Sequence, residues 1–386
     1  MAIGATAPVW VRFAEPVLAA GSTPVNAPRH LLVVFLRGGN DPLQTVAPMG
    51  NAALLKLRPN VGLRDGDMSP MGNGYGVNNR LTSFVDFWRA GQLAVVQQVG
   101  TLTKDFSHSV ATRKWESGNP EDRYNSGWLG RYLDATTGVG SVRAAAFGDS
   151  LPLSLMGDRA NSLSLTSIER FAFNDVKVPD VDARRVALSR FASAPAPSGS
   201  MLEAIARGHQ DLLAAHDPLS KIGNATINGR APTLADNAAQ LFAAGLGTEI
   251  GFISLAGFDT HSSERGRHAS AITKLNDTIK NFFSTASKLG VRDQSVVLVV
   301  SEFGRRVYEN KSGGTDHGEA TSVFALGSPI AGGMYGPDLD LSQLNGGNLP
   351  TRIDLRGVYA TVLDKWLRTN PAAILGATFP TIPFFR

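Results

Sequence analysis

The chain has 386 residues, 43% of them hydrophobic and 18% charged, which is enough length and apolar content for a large core. Its net charge of +4 is small for this size and its Lys and Arg are scattered, which argues against nucleic acid as a partner. There is no cysteine. Disulfides, thiolate-held zinc, iron–sulfur clusters and thiol nucleophiles are therefore excluded, and the composition suits an oxidising compartment.

Residues 1–29 are rich in Ala, Pro and Gly and carry neither a basic n-region nor a long apolar h-region. They read as an extended segment at the start of a mature protein rather than as an intact signal peptide. No apolar run reaches the roughly 20 residues of a membrane span. From residue 30 onward, short apolar runs alternate with helix-period segments. "LLVVFL" (31–36), "LAVVQQVG" (93–100), "LPLSLMG" (151–157), "IGFISLAG" (250–257), "SVVLVVS" (295–301) and "SVFALG" (322–327) have the look of strands covered on both faces. Helices are expected over 82–91, 234–247, 268–290 and 355–370, the first three closing on glycine and the last ending before Pro371.

Residues 158–233 break the alternation. A small-residue linker, "FASAPAPSGS", precedes an amphipathic stretch, "MLEAIARGHQDLLAAHDPL", and the region reads as a helical insertion or cap. His209 and His216 lie seven apart on one face of that helix and read as surface residues. The pattern predicts an α/β fold, a mostly parallel central sheet flanked by helices on both faces, in a single domain spanning 30–386.

In parallel α/β sheets, ligands bind beyond the carboxyl ends of the strands. The residues just past each expected strand are therefore informative. The first run leads into "RGGND", with Asn40 and Asp41, and the second into "TLTKDFSHS", with Ser107, His108 and Ser109. After 250–257 come Asp259, His261 and His268; after 295–301 come Glu302, Asp316 and His317. Each loop alone reads equally as a turn, but four strand ends carrying carboxylates and imidazoles together point to a divalent metal site. Oxygen and nitrogen ligands without sulfur suit Zn, Mn or, where carboxylates dominate, Ca.

The stretches "LLVVFLRGGNDPLQTVAP", "FSHSVATRKWESG", "FDTHS", "SEFGRRVYENKSGGTDHG", "GGMYG" and "DLRGVYATVLDKWL" resemble a bacterial family of unknown function, DUF1501, whose members usually carry twin-arginine export signals. That family is similar to the alkaline phosphatase-like and sulfatase superfamily. The resemblance implies a periplasmic or secreted hydrolase of phosphate or sulfate esters holding one or two divalent ions. Its partner would be a small-molecule or glycan anionic ester. In the implied site Asp41 and Glu302 are ligands of one metal, and Asp259, His261 and His317 hold the other, with His268 as an alternative at longer spacing. The nucleophile is Ser107 or His108, with Lys104 near the leaving group; a hydroxyl at a helix N-terminus favours Ser107. Asn40, Arg305 and Arg306 are expected to meet the substrate's anionic group. The chain departs from the pattern at "SEFG", where Glu302-Phe303 stands in place of an Asp-His pair. Asp316-His317-Gly318 is the other candidate for that element. Phe303 cannot ligate a metal, which leaves open a non-catalytic envelope protein of the same fold that binds a polyanion, a glycan or a protein.

Overall fold

The structure is a computed structural model that describes residues 28–121, 124–138, 140–160, 162–168, 181–198, 200–223, 227 and 229–386. The expected N-terminal segment thus lies outside the described residues apart from 28 and 29. The strands are β1 (His30–Arg37), β2 (Val46–Pro48), β3 (Met68–Gly72), β4 (Tyr75–Asn78), β5 (Leu93–Gly100), β6 (Ala144–Phe147), β7 (Ser162–Leu165), β8 (Ile250–Ala256), β9 (Ser295–Ser301), β10 (Thr321–Leu326), β11 (Gly333–Tyr335) and β12 (Ile353–Asp354).

Two compact units form, one from described residues of Met1–Leu32, Tyr124–Ile253 and Asn281–Gln294, the other from Val33–Arg123, Ser254–Lys280 and Ser295–Arg386. β1 and β8 each begin in the first unit and end in the second. In the first unit β6 lies between β7 and β8, parallel to both, with Ala144 opposite Ser162 on one side and Ile250 on the other. In the second unit the strand order is β11-β5-β10-β9-β1, and β12 also pairs β5. β11 and β12 run parallel to β5, whereas β10 is antiparallel to both β5 and β9. A small antiparallel sheet, β2-β4-β3, belongs to the same unit. The fold is α/β, with a mostly parallel sheet flanked by helices.

The apolar runs explain the strands. β9 is buried at every position, and β1 at all but Arg37, as expected when helices cover both faces of a sheet. Each fully buried Val or Leu there contributes about 1.5–3 kcal/mol. Five of the six expected strands are present within about a residue of their expected ends. "LPLSLMG" is not a strand: Pro152 has no N–H for a ladder, its carbonyl accepts from Leu155, and Leu153–Leu155 form a 3-10 turn. The strands of that region are β6 and β7, whose "AAAF" and "SLSL" lack the β-branched residues that mark strands in sequence.

Helices cover Thr82–Arg89, Leu234–Ala243 and Glu264–Lys288, the second opened by a Thr233–Asp236 capping box. The last expected helix runs only over Leu355–Thr361 and then widens into a π-turn, Val362–Trp366. The expected insertion holds helices Val181–Ala192 and Met201–Gly223. In it, the Nδ1 of His209 bonds the carbonyl of Ile205, and His216 is buried rather than superficial. No helix among the described residues is long and apolar enough to cross a membrane.

Candidate metal centre

The site lies wholly in the second unit, where the loops after β1, β5, β8 and β9 come together. β1 ends in Gly38 and Gly39, with φ of +116° and +76°, a region where a side chain is strained. A Cβ on Gly38 would sit 2.2 Å from the Asp259 amide nitrogen, and one on Gly39 would sit 2.3 Å from the Phe303 ring. Both glycines are thus needed to let three loops pack at contact distance.

Arg305 locks them. Fully buried, it donates from Nε to Gly39 O (3.0 Å), from Nη1 to Thr315 O (2.7 Å) and from Nη2 to the carbonyls of Gly38 and Phe258. Nη2 also meets Asp259 Oδ1 at 2.5 Å. Burial alone would raise the Asp259 pKa. The Arg305 hydrogen bond and charge outweigh that and hold this carboxyl below the usual range, so it stays ionised.

Three imidazoles surround Asp259, and all are oriented alike. His108, first residue of the helix His108–Ser117, places Nδ1 2.9 Å from Glu302 Oε1. His261 places Nδ1 3.4 Å from Asp316 Oδ1, and His317 donates from Nδ1 to the Phe106 carbonyl at 2.7 Å. With each Nδ1 on an oxygen, each Nε2 faces inward. His317 Nε2 lies 2.8 Å from His261 Nε2 and 3.4 Å from Asp259 Oδ1; His261 Nε2 is 3.1 Å from Asp259 Oδ1. His108 Nε2 is 3.5 Å from Asp259 Oδ2 and is buried without a hydrogen-bond partner. Ligand atoms of His108, Asp259 and His317 all lie within 4.8 Å of one another. Two Nε2 lone pairs at 2.8 Å repel unless a proton or a cation stands between them. An orphaned third Nε2 and an ionised carboxylate beside them make a donor set that fits a divalent ion.

The ring of Phe303 forms the floor, 5.0 Å from His108 and 4.6 Å from His317, and is almost fully buried. It fills the space under the imidazoles with a side chain that cannot ligate a metal.

The structure brings together His108, Asp259, His261 and His317 but not all the residues expected with them. Asp41 is fully buried and turned away: its Oδ1 caps Leu43 N at 2.9 Å and its Oδ2 meets Arg58 at 2.5 Å. Burial would raise its pKa, but the Arg58 charge outweighs this and holds it low. Asn40 also faces the interior, with Oδ1 accepting from His268 Nε2 (3.0 Å), which removes His268 from the centre. Glu302 is adjacent but committed: Oε1 accepts from Gly38 N (2.7 Å) and His108, and Oε2 from Ser301 Oγ (3.1 Å). Arg305 is not open to a substrate, because every N–H-bearing nitrogen of its guanidinium bonds the protein. Arg306 spends Nη2 on the Gly346 carbonyl, and Lys104 pairs with Glu319 at 2.9 Å. Ser107 is exposed, its Oγ 3.1 Å from Ser109 Oγ, just before the helix N-terminus.

The outward role of the partners of these imidazoles leaves little mark in the sequence. Asp316 is steadied by Asn310 Nδ2 at 3.0 Å, and both sit in a turn whose spacing carries no metal-ligand signature. The Phe106 carbonyl is main chain and leaves no trace in residue type.

The sequence profile of a family described as "Protein of unknown function (DUF1501)" matches residues 91–364. No curated protein matches the chain. Among solved structures, the lipoteichoic acid synthase LtaP from Listeria monocytogenes is 11% identical, with 91% of this chain and 74% of that chain covered and a TM-score of 0.40. The PsFucS1 sulfatase from Pseudoalteromonas sp. is 12% identical, with 92% and 71% covered and a TM-score of 0.41. The Thermus thermophilus alkaline phosphatase is 11% identical, with 73% and 61% covered and a TM-score of 0.34.

Proposed function

The chain belongs to the DUF1501 family of proteins of unknown function, whose profile covers most of it, and on that premise we propose that it is an exported, metal-dependent hydrolase of phosphate or sulfate esters. The observation that carries this reading is the convergence of three imidazole Nε2 atoms on the ionised carboxylate of Asp259. His108, Asp259 and His317 hold the ion, and His261 completes the set. Three nitrogens and one carboxylate suit Zn or Mn better than Ca, which prefers oxygen.

One ion is the expected load. A second would need Asp41 and Glu302, and their oxygens are already taken by Arg58, Leu43, Gly38, Ser301 and His108. A bound ion at this position supplies charge that polarises a phosphoryl or sulfuryl oxygen and lowers the pKa of a neighbouring hydroxyl or water. Ser107, exposed beside His108 and at the positive end of the helix dipole, is the proposed nucleophile. Arg305 keeps Asp259 ionised and in place without touching substrate. The anionic oxygens must therefore be met by the ion and by the amides at the start of the helix, not by an arginine clamp.

The test is metal analysis of the purified protein, then turnover of aryl phosphate and aryl sulfate esters with Zn or Mn. One ion per chain is expected, lost in His317→Ala, with turnover abolished in Ser107→Ala. Absence of any bound ion under both metals sinks the reading. The buried Phe303 under the imidazoles favours a second reading, a non-catalytic envelope protein that binds an anionic glycan or a polyanion through the ion. Bound metal without turnover on any ester would select it.

A further inference from the structure

A metal-binding histidine almost always gives its second nitrogen to an oxygen acceptor, which fixes the tautomer and the ring's direction. In this chain the three acceptors differ in kind: a buried carboxylate (Glu302), an exposed carboxylate (Asp316) and a main-chain carbonyl (Phe106). Glu302 turns its oxygens away from the Nε2 cluster, toward the Gly38 amide, the Ser301 hydroxyl and the outward nitrogen of His108. Asp316 likewise touches His261 on the outward nitrogen and is itself held by Asn310, whose Nδ2 also bonds the His261 carbonyl at 2.9 Å.

We infer that Glu302 and Asp316 are positioning residues that act on the ion only through His108 and His261, and that the Asn310–Asp316 pair is a built support for the His261 ring. The inference rests on the metal-centre reading but assigns two carboxylates to a role that neither residue type nor loop position announced. In each pair the Nδ1–H donates outward, so Nε2 keeps its lone pair for the ion. The carboxylate adds negative charge one bond removed, which raises the basicity of the imidazole without occupying a coordination position.

The readouts are metal affinity and ligand field. The protein is stripped of metal and titrated with Co(II) and Zn(II), with wild type, Asp316→Asn, Asn310→Ala, Glu302→Gln and His317→Ala side by side. Loss of an outer carboxylate's charge, or of the Asn310 bond that holds it, is expected to weaken affinity about 10–100-fold. The visible absorption of the Co(II) form should keep its wild-type envelope in Asp316→Asn and Glu302→Gln, because no direct ligand is lost. Asp316→Glu should recover part of the affinity. Asp316 and Asn310 stand at the surface or near it, so their variants keep the test open if Glu302→Gln does not fold.

Wild-type affinity in both Asp316→Asn and Asn310→Ala would overturn the inference, as would a changed Co(II) spectrum in Glu302→Gln, which would make Glu302 a direct ligand. If wild type itself binds neither ion, the metal-centre reading fails instead. If it binds but hydrolyses no ester, only the hydrolase reading fails.

Discussion

Beneath the candidate metal centre, Glu264 and His268 lie four apart on one face of the helix Glu264–Lys288 and are both buried beside Asp41 and Arg58. Burial, helped by the Asp41 charge, pushes Glu264 up to about 8, so it is protonated in the fold at neutral pH. Burial pushes His268 down to about 4 despite the Asp41 charge, so it is neutral. The two have opposite linkage. His268 binds a proton in the unfolded chain below about pH 6.5 but not in the fold, so its contribution to stability is lost as pH falls from there toward 4. Glu264 holds a proton in the fold that the unfolded chain releases above about 4.3, so its contribution is lost as pH rises toward 8. Between roughly 4.5 and 6.5 the slopes cancel; above 6.5 only Glu264 acts, at about 1.4 kcal/mol per pH unit. Urea midpoints should therefore fall from pH 6.5 to 8 in wild type more steeply than in Glu264→Gln. Equal slopes would show that the carboxyl is ionised in the fold.

At the scale of elements, the turn after β1 decides whether the centre assembles. Gly38 needs both its positive φ and the absence of a side chain against Asp259. Gly38→Ala is expected to cost roughly 1–3 kcal/mol of stability, and to move Asp259 off its position on Arg305. Its metal affinity should fall more than that of Gly74→Ala, a glycine that also has a positive φ (+76°) but open space around it. Comparable affinities in the two variants would mean that the close approach of Gly38 to Asp259 does not govern the centre.

How much of this was legible in the sequence depends on the same elements. β1 and β9 announce themselves as apolar runs, and β5 as one interrupted only by Gln97 and Gln98, because burial on both faces leaves little room for polar alternation. β6 does not, since three alanines suit a helix as well as a strand. The loops carrying Asp259, His261, His317 and His108 could be picked out as strand ends rich in ligands. The engagement of Asp41 by Arg58, 17 positions along the chain, could not, because nothing in that stretch signals an ion pair. Nor could the loss of Arg305 to backbone carbonyls, which depends on three loops converging.

For the molecule as a whole, a ligand that binds only the folded form adds stability by mass action. Zn(II) or Mn(II) at about a hundred times its dissociation constant should add about 2.7 kcal/mol, and chelation should remove it. The thermal midpoint of wild type should drop on adding a chelator, whereas His317→Ala should show no such drop. Amide exchange should slow on metal addition around 106–109, 258–261 and 315–317, the loops that the ion would tie. A chelator-insensitive midpoint in wild type would mean that no ion contributes to the folded state.

The bond from His317 to the Phe106 carbonyl has a consequence for how this protein tolerates change. Two corners of the centre lean on side chains that one codon change can delete, but the third leans on a peptide group that every amino acid supplies. A saturation library should therefore accept most replacements at 106 while rejecting them at 302, and the few failures at 106 should be those that bend the backbone.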